Sequence, residues 1–447
     1  MAKSCQRKRR SVSLLWVLAL AVGPLCFGAV AVAVPTEASP YHSLGIFARA
    51  LAHIEMSYVE VSDSEALVYG AIRGMVETLD PHSTFMDPEE YRILSSDTEG
   101  RFGGVGIEIN VRDGWLTVVS VFDSGPAARA GVRPGDRFLS IGDRSARDMR
   151  IDEAVRLMRG ELGTTVMARL RREGQEQAIE VELTREVIAV RAVEARLIPD
   201  RIAYVRLRSF QETTTSELRA ALDLCASEAA AGGGIVGVVL DLRQNPGGLL
   251  DEAVLVSDEF LSEGVIVSTR GRGDRLLEEA RARSGGTRPD WPMVVVVDEF
   301  TASAAEIVAG ALQDHHRAAI VGTRTFGKGS VQNIIELSDG SALKLTIARY
   351  YTPSGRSIQA RGIDPDVVVE QLNFEGGDTG DSEAFREESL EGHLPGESPA
   401  PPGSTEGARG AVRTGPVRDG RPGEPFPDDY QAFMAVQTLR ALIAARR

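Results

Sequence analysis

Ser303, in the segment TASAAEI, has the sequence context of a nucleophile. The segment follows an apolar run typical of a strand and begins a run with helical spacing. Ser303 is therefore expected at a helix N-terminus, where free backbone N–H groups point at any anion that forms on a substrate. Such a serine could attack a carbonyl carbon. An ordinary N-cap serine occupies the same position, so this context alone leaves both interpretations open.

A serine hydroxyl needs a base to become an effective nucleophile. Lys328, in TFGKGS, is a candidate because burial disfavours the ammonium form and lowers the pKa of a lysine. No acidic residue lies near it in the sequence to keep it charged, although a solvated surface lysine is the alternative. The six histidines are not obvious partners, because they lie near the leader, side by side on one loop, or in a stretch expected to be disordered: His42, His53, His82, His315, His316 and His393.

A glycine pair, Gly247 and Gly248, follows a predicted strand in the segment DLRQNPGG. Glycine lets backbone amides approach a substrate closely, so these N–H groups could stabilise an oxyanion. A plain turn has the same composition. A serine, a neutral lysine and such a glycine pair are the parts that acyl transfer requires.

The segments DLRQNPGG, TASAAEI and FGKGSVQ together resemble the carboxyl-terminal processing (tail-specific) serine protease family, whose members carry a PDZ domain. The resemblance extends over roughly residues 41–370 and includes the segment ALVYGAIRGMVETLDPHSTFM. It implies that Ser303 attacks a peptide carbonyl, that Lys328 takes and returns the proton, and that Gln332 orients Lys328.

The same resemblance implies the remaining site residues and the fold. The amides of Gly247 or Gly248 and of Ala304 would hold the oxyanion. The fold class would be an α/β protease core of crossover strands and helices, crotonase- or Clp-protease-like, with an inserted, mostly-β PDZ domain and N-terminal helices. The low-complexity stretch from about Glu375 departs from the family pattern, so no role is carried over to it or to the C-terminal helix.

The segment Gly104-Val105-Gly106-Ile107 predicts the carboxylate-binding loop of a PDZ domain. Its amides could hold a terminal carboxylate while the following strand pairs with an extended peptide. The segments SGPAA, GVRPGD and IG follow in the order typical of PDZ domains. Arg159, in LMRG, resembles a family position that couples the PDZ domain to the protease domain, and a solvated charge is the alternative.

The hydrophobic pattern divides the chain into six regions. Helical spacing over 41–79 predicts two helices, alternating runs from about 102 to 183 predict short strands, and strands alternate with helices from 201 onward. Large apolar residues are scarce between about 375 and 425, so that stretch is expected to be disordered. The expected boundaries are 1–34 for a signal peptide or membrane anchor, 36–100 for an N-terminal helical region, 101–187 for the PDZ domain, 188–370 for the serine–lysine protease core, 371–425 for the disordered linker and 426–447 for a docked or dimerising helix.

The first residues predict export. Five basic residues precede an apolar run from about Val12 to Val34, which is the pattern of a signal peptide. The run is also long enough to span a bilayer, so a cleaved signal and a membrane anchor both stay open. We therefore expect a periplasmic protein or one anchored to the cell membrane and facing outward.

Composition excludes several classes. The net charge of -14 argues against a nucleic-acid partner, because phosphate binding relies on clustered Lys and Arg. Cys225 is the only cysteine outside the leader, so disulfides and cysteine catalysis are not expected, and its place in an apolar pattern predicts core packing. No His, Cys, Asp and Glu cluster has metal-ligand spacing, which predicts an enzyme without a cofactor.

Two other functions compete with a protease. The segment GTRTFGK begins like a phosphate-binding P-loop, but the Ser or Thr that should follow the lysine and the helix beyond it are both missing. A catalytically idle scaffold could bind the tails of exported proteins through its PDZ domain. Ser303, Lys328 and Gln332 favour the protease. Its expected partners are protein substrates with free apolar C-terminal tails, and a homodimer or an adaptor protein is left open.

Overall fold

The computed structural model describes residues 40–112, 114–122, 125–175, 177–371, 386–396, 426 and 429–446. The predicted signal or anchor at 1–34 lies outside these residues, as does most of the predicted linker at 371–425. The chain divides into two compact units, of which the first ends at Val68 and the second begins at Tyr69. No helix in the described ranges is long and apolar enough to cross a membrane.

The N-terminal region contains three helices and one short strand: α1 (Pro40–Ser57), α2 (Ser64–Glu77), β1 (Thr84–Met86) and α3 (Pro88–Glu99). The third helix starts with a capping box, in which the carboxylate of Asp87 accepts from the amide of Glu90 and the Glu90 carboxylate accepts from the amide of Asp87. It ends at Gly100, whose φ of 71° is the left-handed conformation that glycine adopts without strain.

A mostly-β domain follows directly. Its elements are β2 (Arg101–Gly104), β3 (Ile107–Arg112), β4 (Trp115–Val121), α4 (Pro126–Arg129), β5 (Arg137–Ile141), β6 (Arg144–Ser145), α5 (Ile151–Met158), β7 (Thr165–Arg171), β8 (Ile179–Thr184) and β9 (Glu186–Ala189). β2 and β9 pair antiparallel where the chain enters and leaves the domain. The other strands form one sheet in the order β3–β4–β5–β7–β8, with β6 paired to β5, around buried side chains such as Phe138 and Leu170.

The rest of the chain alternates between strands and helices: β10 (Val193–Ile198), β11 (Ile202–Leu207), α6 (Thr214–Ala229), β12 (Gly237–Asp241), α7 (Leu250–Asp258), β13 (Val265–Gly271), β14 (Arg275–Arg281), β15 (Met293–Val297), α8 (Ala304–Asp314), β16 (Ala319–Gly322), β17 (Ser330–Glu336), β18 (Ala342–Tyr351), β19 (Val367–Val368) and α9 (Tyr430–Ala445). The central sheet has the order β10–β11–β12–β15–β16–β19 and is parallel from β11 to β19. A second sheet has the order β1–β18–β13–β14, and β17 also pairs with β18.

The central sheet is covered on both faces. Helices α6, α7 and α8 pack on one face, and α9 packs on the other. A parallel strand that is buried on both faces has no solvent side, which explains the uninterrupted apolar run MVVVV of β15. Cys225, on the buried face of α6, packs in the core, as the sequence predicted. The expected α/β core with an inserted mostly-β domain and N-terminal helices is confirmed.

The C-terminal helix α9 is docked on the central sheet. Val436 and Leu439 are fully buried against β12 and β15. The carboxylate of Asp429 accepts from the amide of Ala432 at the start of the helix and pairs with Arg243, just after β12, at 2.7 Å. The sequence left open whether this helix docks on the core or mediates dimerisation, and the structure shows it docked.

Residues 386–396 differ from the prediction of a disordered linker. They include a short 3-10 turn, Glu387–Ser389, in which Glu387 has no solvent exposure. Composition does not predict this ordered segment, because a contact between the buried Glu387 carboxylate and His82, at 2.7 Å, holds it without a large apolar surface.

Candidate active site

Ser303 occupies the N-cap position of α8, directly after the loop that follows β15. Its φ of 55° and ψ of -117° lie outside the regions that residues other than glycine readily adopt. The residue is only 8% exposed, and its side chain is hydrogen-bonded to the hydroxyl group of Tyr350, whose pKa is raised by burial to about 12. Backbone strain of this kind concentrates at functional sites, whereas an ordinary N-cap residue has unstrained extended angles.

Glu306, in the first turn of α8, ties the serine to the lysine loop. Its fully buried carboxylate accepts from the amides of Ser303 (2.8 Å), Gly327 (2.8 Å) and Lys328 (2.9 Å), and from the Thr325 hydroxyl. Burial raises the pKa of Glu306 to about 7, while these four hydrogen bonds act in the opposite direction. Glu306 was not predicted from the sequence, although the S-x-x-E spacing from Ser303 is the known pattern of a capping box.

Lys328 lies in the loop between β16 and β17 and is partly buried. Burial is the largest cause that lowers its pKa to about 8, and the positive charge of Lys344 acts in the same direction. The carboxylates of Glu387, Glu306 and Asp80 oppose this effect. A substantial fraction of Lys328 is therefore neutral at mildly alkaline pH and can accept a proton.

Lys344, on β18, is a second cation that sequence analysis missed. Burial also lowers the pKa of its ammonium group. The composition pointed to Lys344, because beyond the leader Lys328 and Lys344 are the only lysines and all other long basic side chains are arginines. Lysine changes its protonation state on burial far more readily than arginine does, so two lysines retained at one place indicate a need for that property.

One cavity of about 890 Å³ brings the predicted residues together. Its lining includes Ser303, Lys328, Gln332, Gly247 and Gly248, as well as the two residues Lys344 and Tyr350 that the sequence did not single out. These residues come from the loop after β12, the start of α8, the loop between β16 and β17, and strands β17 and β18. The parallel strands β12 and β15 end at the same edge of the central sheet, which is where binding sites of such sheets occur.

Gln332 lies on β17 within this cavity. Its amide nitrogen donates to the hydroxyl oxygen of Ser330 (2.9 Å) and to that of Thr346 (3.3 Å). The Thr346 hydroxyl in turn donates to Asp80 (3.0 Å). The side chain is thus held in a polar network next to Lys328, and the contact with Lys328 that the resemblance implies is not one of these hydrogen bonds.

The loop with the glycine pair touches Ser303. A Cβ atom at Gly247 would lie 2.8 Å from the Cβ of Ser303 and 2.9 Å from the amide nitrogen of Ala304, so only glycine fits. The amide of Gly247 already donates to the side chain of Asn245 at 2.9 Å. Of the predicted oxyanion donors, Gly248 and Ala304 are therefore better candidates than Gly247.

The predicted carboxylate-binding loop joins β2 to β3 in the mostly-β domain. Gly106 has a φ of 74°, and β3, which begins at Ile107, lies at one edge of the sheet formed by the described strands. Helix α5 packs against β3. An edge strand beside a helix is the arrangement that accepts an extended peptide as an added strand.

Arg159 follows the last residue of α5 and lines the same cavity as Ser303. Its guanidinium group contacts Asp97 of α3 at 2.7 Å and lies over the ring of Phe102, 4.1 Å from its centre. Arg159 therefore joins the mostly-β domain to α3 at the rim of the cavity and is not a solvated charge.

The arrangement does not suit the competing chemistries. Gly329 is followed by strand β17, whereas a P-loop leads into a helix. The imidazole of His315 hydrogen-bonds to the carbonyl oxygen of Val265 (2.7 Å), and His82 pairs with Glu387, so neither is placed as a base for Ser303. Within the described ranges, no group of three His, Cys, Asp or Glu side chains could hold a metal ion.

Models of known families match three parts of the chain. The model of peptidase family S41 matches residues 201–369, and a PDZ domain model matches residues 117–172. The model described as the N-terminal domain of the activating protease CtpB matches residues 32–90. The first match contains Ser303, Lys328 and the glycine pair, and the second lies within the mostly-β domain.

Similar proteins extend over most of the chain. A Bartonella bacilliformis protein named carboxy-terminal-processing protease is 43% identical over 375 residues, which cover 83% of this chain and 85% of that protein. A Bacillus subtilis protein named carboxy-terminal processing protease CtpA is 36% identical and covers 73% of this chain and 69% of its own length. A solved structure titled photosystem II D1 C-terminal processing protease is 30% identical, covers 73% of this chain and 92% of its own, and has a TM-score of 0.45.

Proposed function

The chain belongs to the carboxy-terminal-processing serine proteases of peptidase family S41, and we propose that it cleaves exported proteins with a Ser303–Lys328 dyad after its PDZ domain has bound their C-terminal tails. The observation that carries the dyad is the lysine itself. Lys328, with a pKa lowered to about 8, lines the cavity into which the strained Ser303 opens. A base with a pKa near the working pH combines a populated neutral form with useful basicity.

In this mechanism Ser303 Oγ attacks the carbonyl carbon of the scissile peptide while Lys328 Nζ accepts the hydroxyl proton. The negative charge that develops on the carbonyl oxygen is stabilised by the amides of Gly248 and Ala304. When the C–N bond breaks, Lys328 returns the proton to the leaving amine. A water molecule then attacks the ester on Ser303, with Lys328 again as the base, and releases the shortened protein.

Glu306 and Gln332 support this geometry without contacting the reacting atoms. Glu306 fixes the backbone at both Ser303 and Lys328 through hydrogen bonds of 2.8 and 2.9 Å. Holding nucleophile and base in one orientation is a large part of enzymatic rate acceleration. Gln332, which lines the same cavity from β17, is assigned the smaller effect of orienting Lys328.

Substrate selection is assigned to the PDZ domain. A free carboxylate suits the amides of Val105, Gly106 and Ile107, and an extended tail suits the edge of β3. The substrates are exported proteins, because the basic residues and apolar run before Pro35 have the pattern of an export signal. A cleaved signal and an outward-facing anchor both agree with this assignment.

The test is cleavage of an unfolded protein that has a free apolar C-terminus. Wild type is expected to cleave it, while Ser303→Ala and Lys328→Ala should each retain less than about a tenth of the activity with an unchanged fold. Ser216→Ala, at an exposed serine in the first turn of α6, is the matched control and should be fully active. If wild type binds tails without cleaving them, the scaffold alternative is correct, and an active Lys328→Ala would refute the dyad.

A further inference from the structure

We propose that residues 386–396, named here the strap, hold the lysine loop 324–329 in its active arrangement, and that Glu387 is a positioning residue for Lys328. The inference rests on the proposed function, because it concerns the base of the same reaction. It adds a segment distant in sequence from every residue of the dyad.

The carboxylate of Glu387 is connected to the lysine loop through the side chain of Gln359. Its fully buried carboxylate accepts from the side-chain amide of Gln359 at 2.8 Å. The side-chain oxygen of Gln359 accepts from the amide of Gly329 at 3.0 Å. A Cβ atom at Gly329 would lie 2.2 Å from the backbone nitrogen of Gln359, so the two segments are in direct contact. Glu387 therefore fixes the residue that immediately follows Lys328.

The strap also contacts the beginning of the lysine loop. The amide of Glu387 donates to the carbonyl oxygen of Phe326 at 3.3 Å. Glu388 pairs with Arg324 at 2.6 Å. Because contacts lie on both sides of Lys328, displacement of the strap would loosen both ends of the loop, while Glu306 would still hold the amides of Gly327 and Lys328.

A third anchor connects Glu387 to the N-terminal part of the second unit. The imidazole of His82 contacts both carboxylate oxygens of Glu387, at 2.7 and 3.0 Å. His82 belongs to the turn in which Asp80 accepts from the amides of His82 and Ser83. The carboxylate is thus held by a rigid turn on one side and by Gln359 on the other.

Charge gives Glu387 a second effect on Lys328. The groups whose charges act on Lys328 are Lys344, Glu387, Glu306 and Asp80, and those that act on Glu387 are His82 and Lys328. The negative charge of Glu387 raises the pKa of Lys328 against the effect of burial. Removal of the charge alone should shift the pH dependence of the reaction, whereas removal of the hydrogen bonds should lower its maximal rate.

Two substitutions separate these effects. Glu387→Gln keeps an oxygen that can accept from His82 and Gln359 but removes the charge. We expect it to keep kcat on the alkaline plateau within about threefold and to move the rising limb of kcat/KM to lower pH by about one unit. Glu387→Ala removes both, and kcat should fall on the order of 10-fold or more with little change in KM. Glu391→Gln, at an exposed position of the same strap, is the matched control and should match wild type.

Hydrogen exchange provides a readout that does not depend on activity. The amide of Gly329 should exchange at least about 10-fold faster in Glu387→Ala than in wild type, and near the wild-type rate in Glu387→Gln and Glu391→Gln. An unchanged pH profile in Glu387→Gln together with unchanged exchange at Gly329 in Glu387→Ala would overturn the proposal. If wild type shows no Ser303-dependent cleavage, the proposed function is refuted. The exchange result would still decide whether the strap holds the loop.

Discussion

At the scale of single residues, the proposed proton transfer depends on the positions of two lysines. Lys328 and Lys344 are the only lysines beyond the leader, and both line the cavity with Ser303. An arginine at either position would stay charged in any surroundings, whereas lysine loses its proton when water is withdrawn. The positive charge of Lys344 then disfavours a second ammonium group nearby, so that Lys328 is the residue that becomes neutral.

Replacement of Lys344 by methionine should change the pH dependence of cleavage. Lys344 lowers the pKa of Lys328, so its removal raises that pKa. We expect the wild-type rate to rise through a midpoint near pH 8, the lowered pKa of Lys328, and the midpoint of Lys344→Met to lie at higher pH. The measurement is kcat/KM against pH.

Lys344→Arg is the matched control, since it keeps the positive charge and should keep the midpoint near that of wild type. An identical midpoint in wild type and Lys344→Met would contradict the electrostatic role of Lys344.

The sequence allowed Ser303, Lys328 and the glycine loop to be predicted because each lies in a short motif next to an element boundary. Glu387 and Lys344 could not be identified in this way. Their roles depend on contacts between segments that are distant in the chain, and no short motif records such contacts. Glu306 is intermediate, because its spacing from Ser303 predicts a cap but not its hydrogen bonds to the lysine loop.

At the scale of elements, the hydrophobic pattern predicted the four inner strands of the central sheet, β11, β12, β15 and β16, but not the edge strands β10 and β19. β15 is an uninterrupted apolar run because both of its faces are covered, and α6 shows helical spacing because one of its faces packs on the sheet. The ordered part of the linker was not predicted. Polar contacts of a few residues hold it, and no periodic pattern records such contacts.

The docked helix α9 should contribute strongly to stability. Leu439 is fully buried and packs over Gly237 of β12, where a Cβ atom would lie 3.1 Å from the leucine side chain. Leu439→Ala should lower the free energy of unfolding by about 2–5 kcal/mol, because a cavity remains in a well-packed interface. Urea denaturation measures the change.

Leu442, on the same helix, is 36% exposed, and Leu442→Ala should change the free energy of unfolding by less than about 1 kcal/mol. Equal losses in the two variants would show that α9 is not docked through the face that contains Leu439.

At the scale of the whole molecule, the PDZ domain lines the cavity with Phe102 and Arg159. Arg159 ends the last helix of the PDZ domain, contacts Asp97 and Phe102, and lines the cavity that contains Ser303. A change in the position of the PDZ domain on tail binding would therefore move residues at the rim of the cavity. Only family resemblance singled out Arg159 as a coupling residue, and its contacts with Asp97 and Phe102 were not predicted, since a single arginine carries no local signal of its partners.

Amidation of a substrate's C-terminus should slow its cleavage, because the neutral amide no longer matches the backbone amides of the loop at Gly106. Arg159→Ala should reduce the ratio between the rates for free-acid and amidated substrates. Arg169→Ala, on the exposed side of β7, is the control and should preserve the ratio. Equal rates for both substrates in wild type would refute tail recognition, while an unchanged ratio in Arg159→Ala would refute only the coupling.

Covalent labelling by a fluorophosphonate tests, without a protein substrate, whether Lys328 activates Ser303. The serine oxygen displaces fluoride from phosphorus, and mass spectrometry locates the adduct. We predict a single adduct on Ser303 whose rate of formation rises with pH through a midpoint near 8 and is at least about 100-fold slower in Lys328→Ala. An adduct on another serine, or labelling of Ser303 at the wild-type rate in Lys328→Ala, would contradict the account.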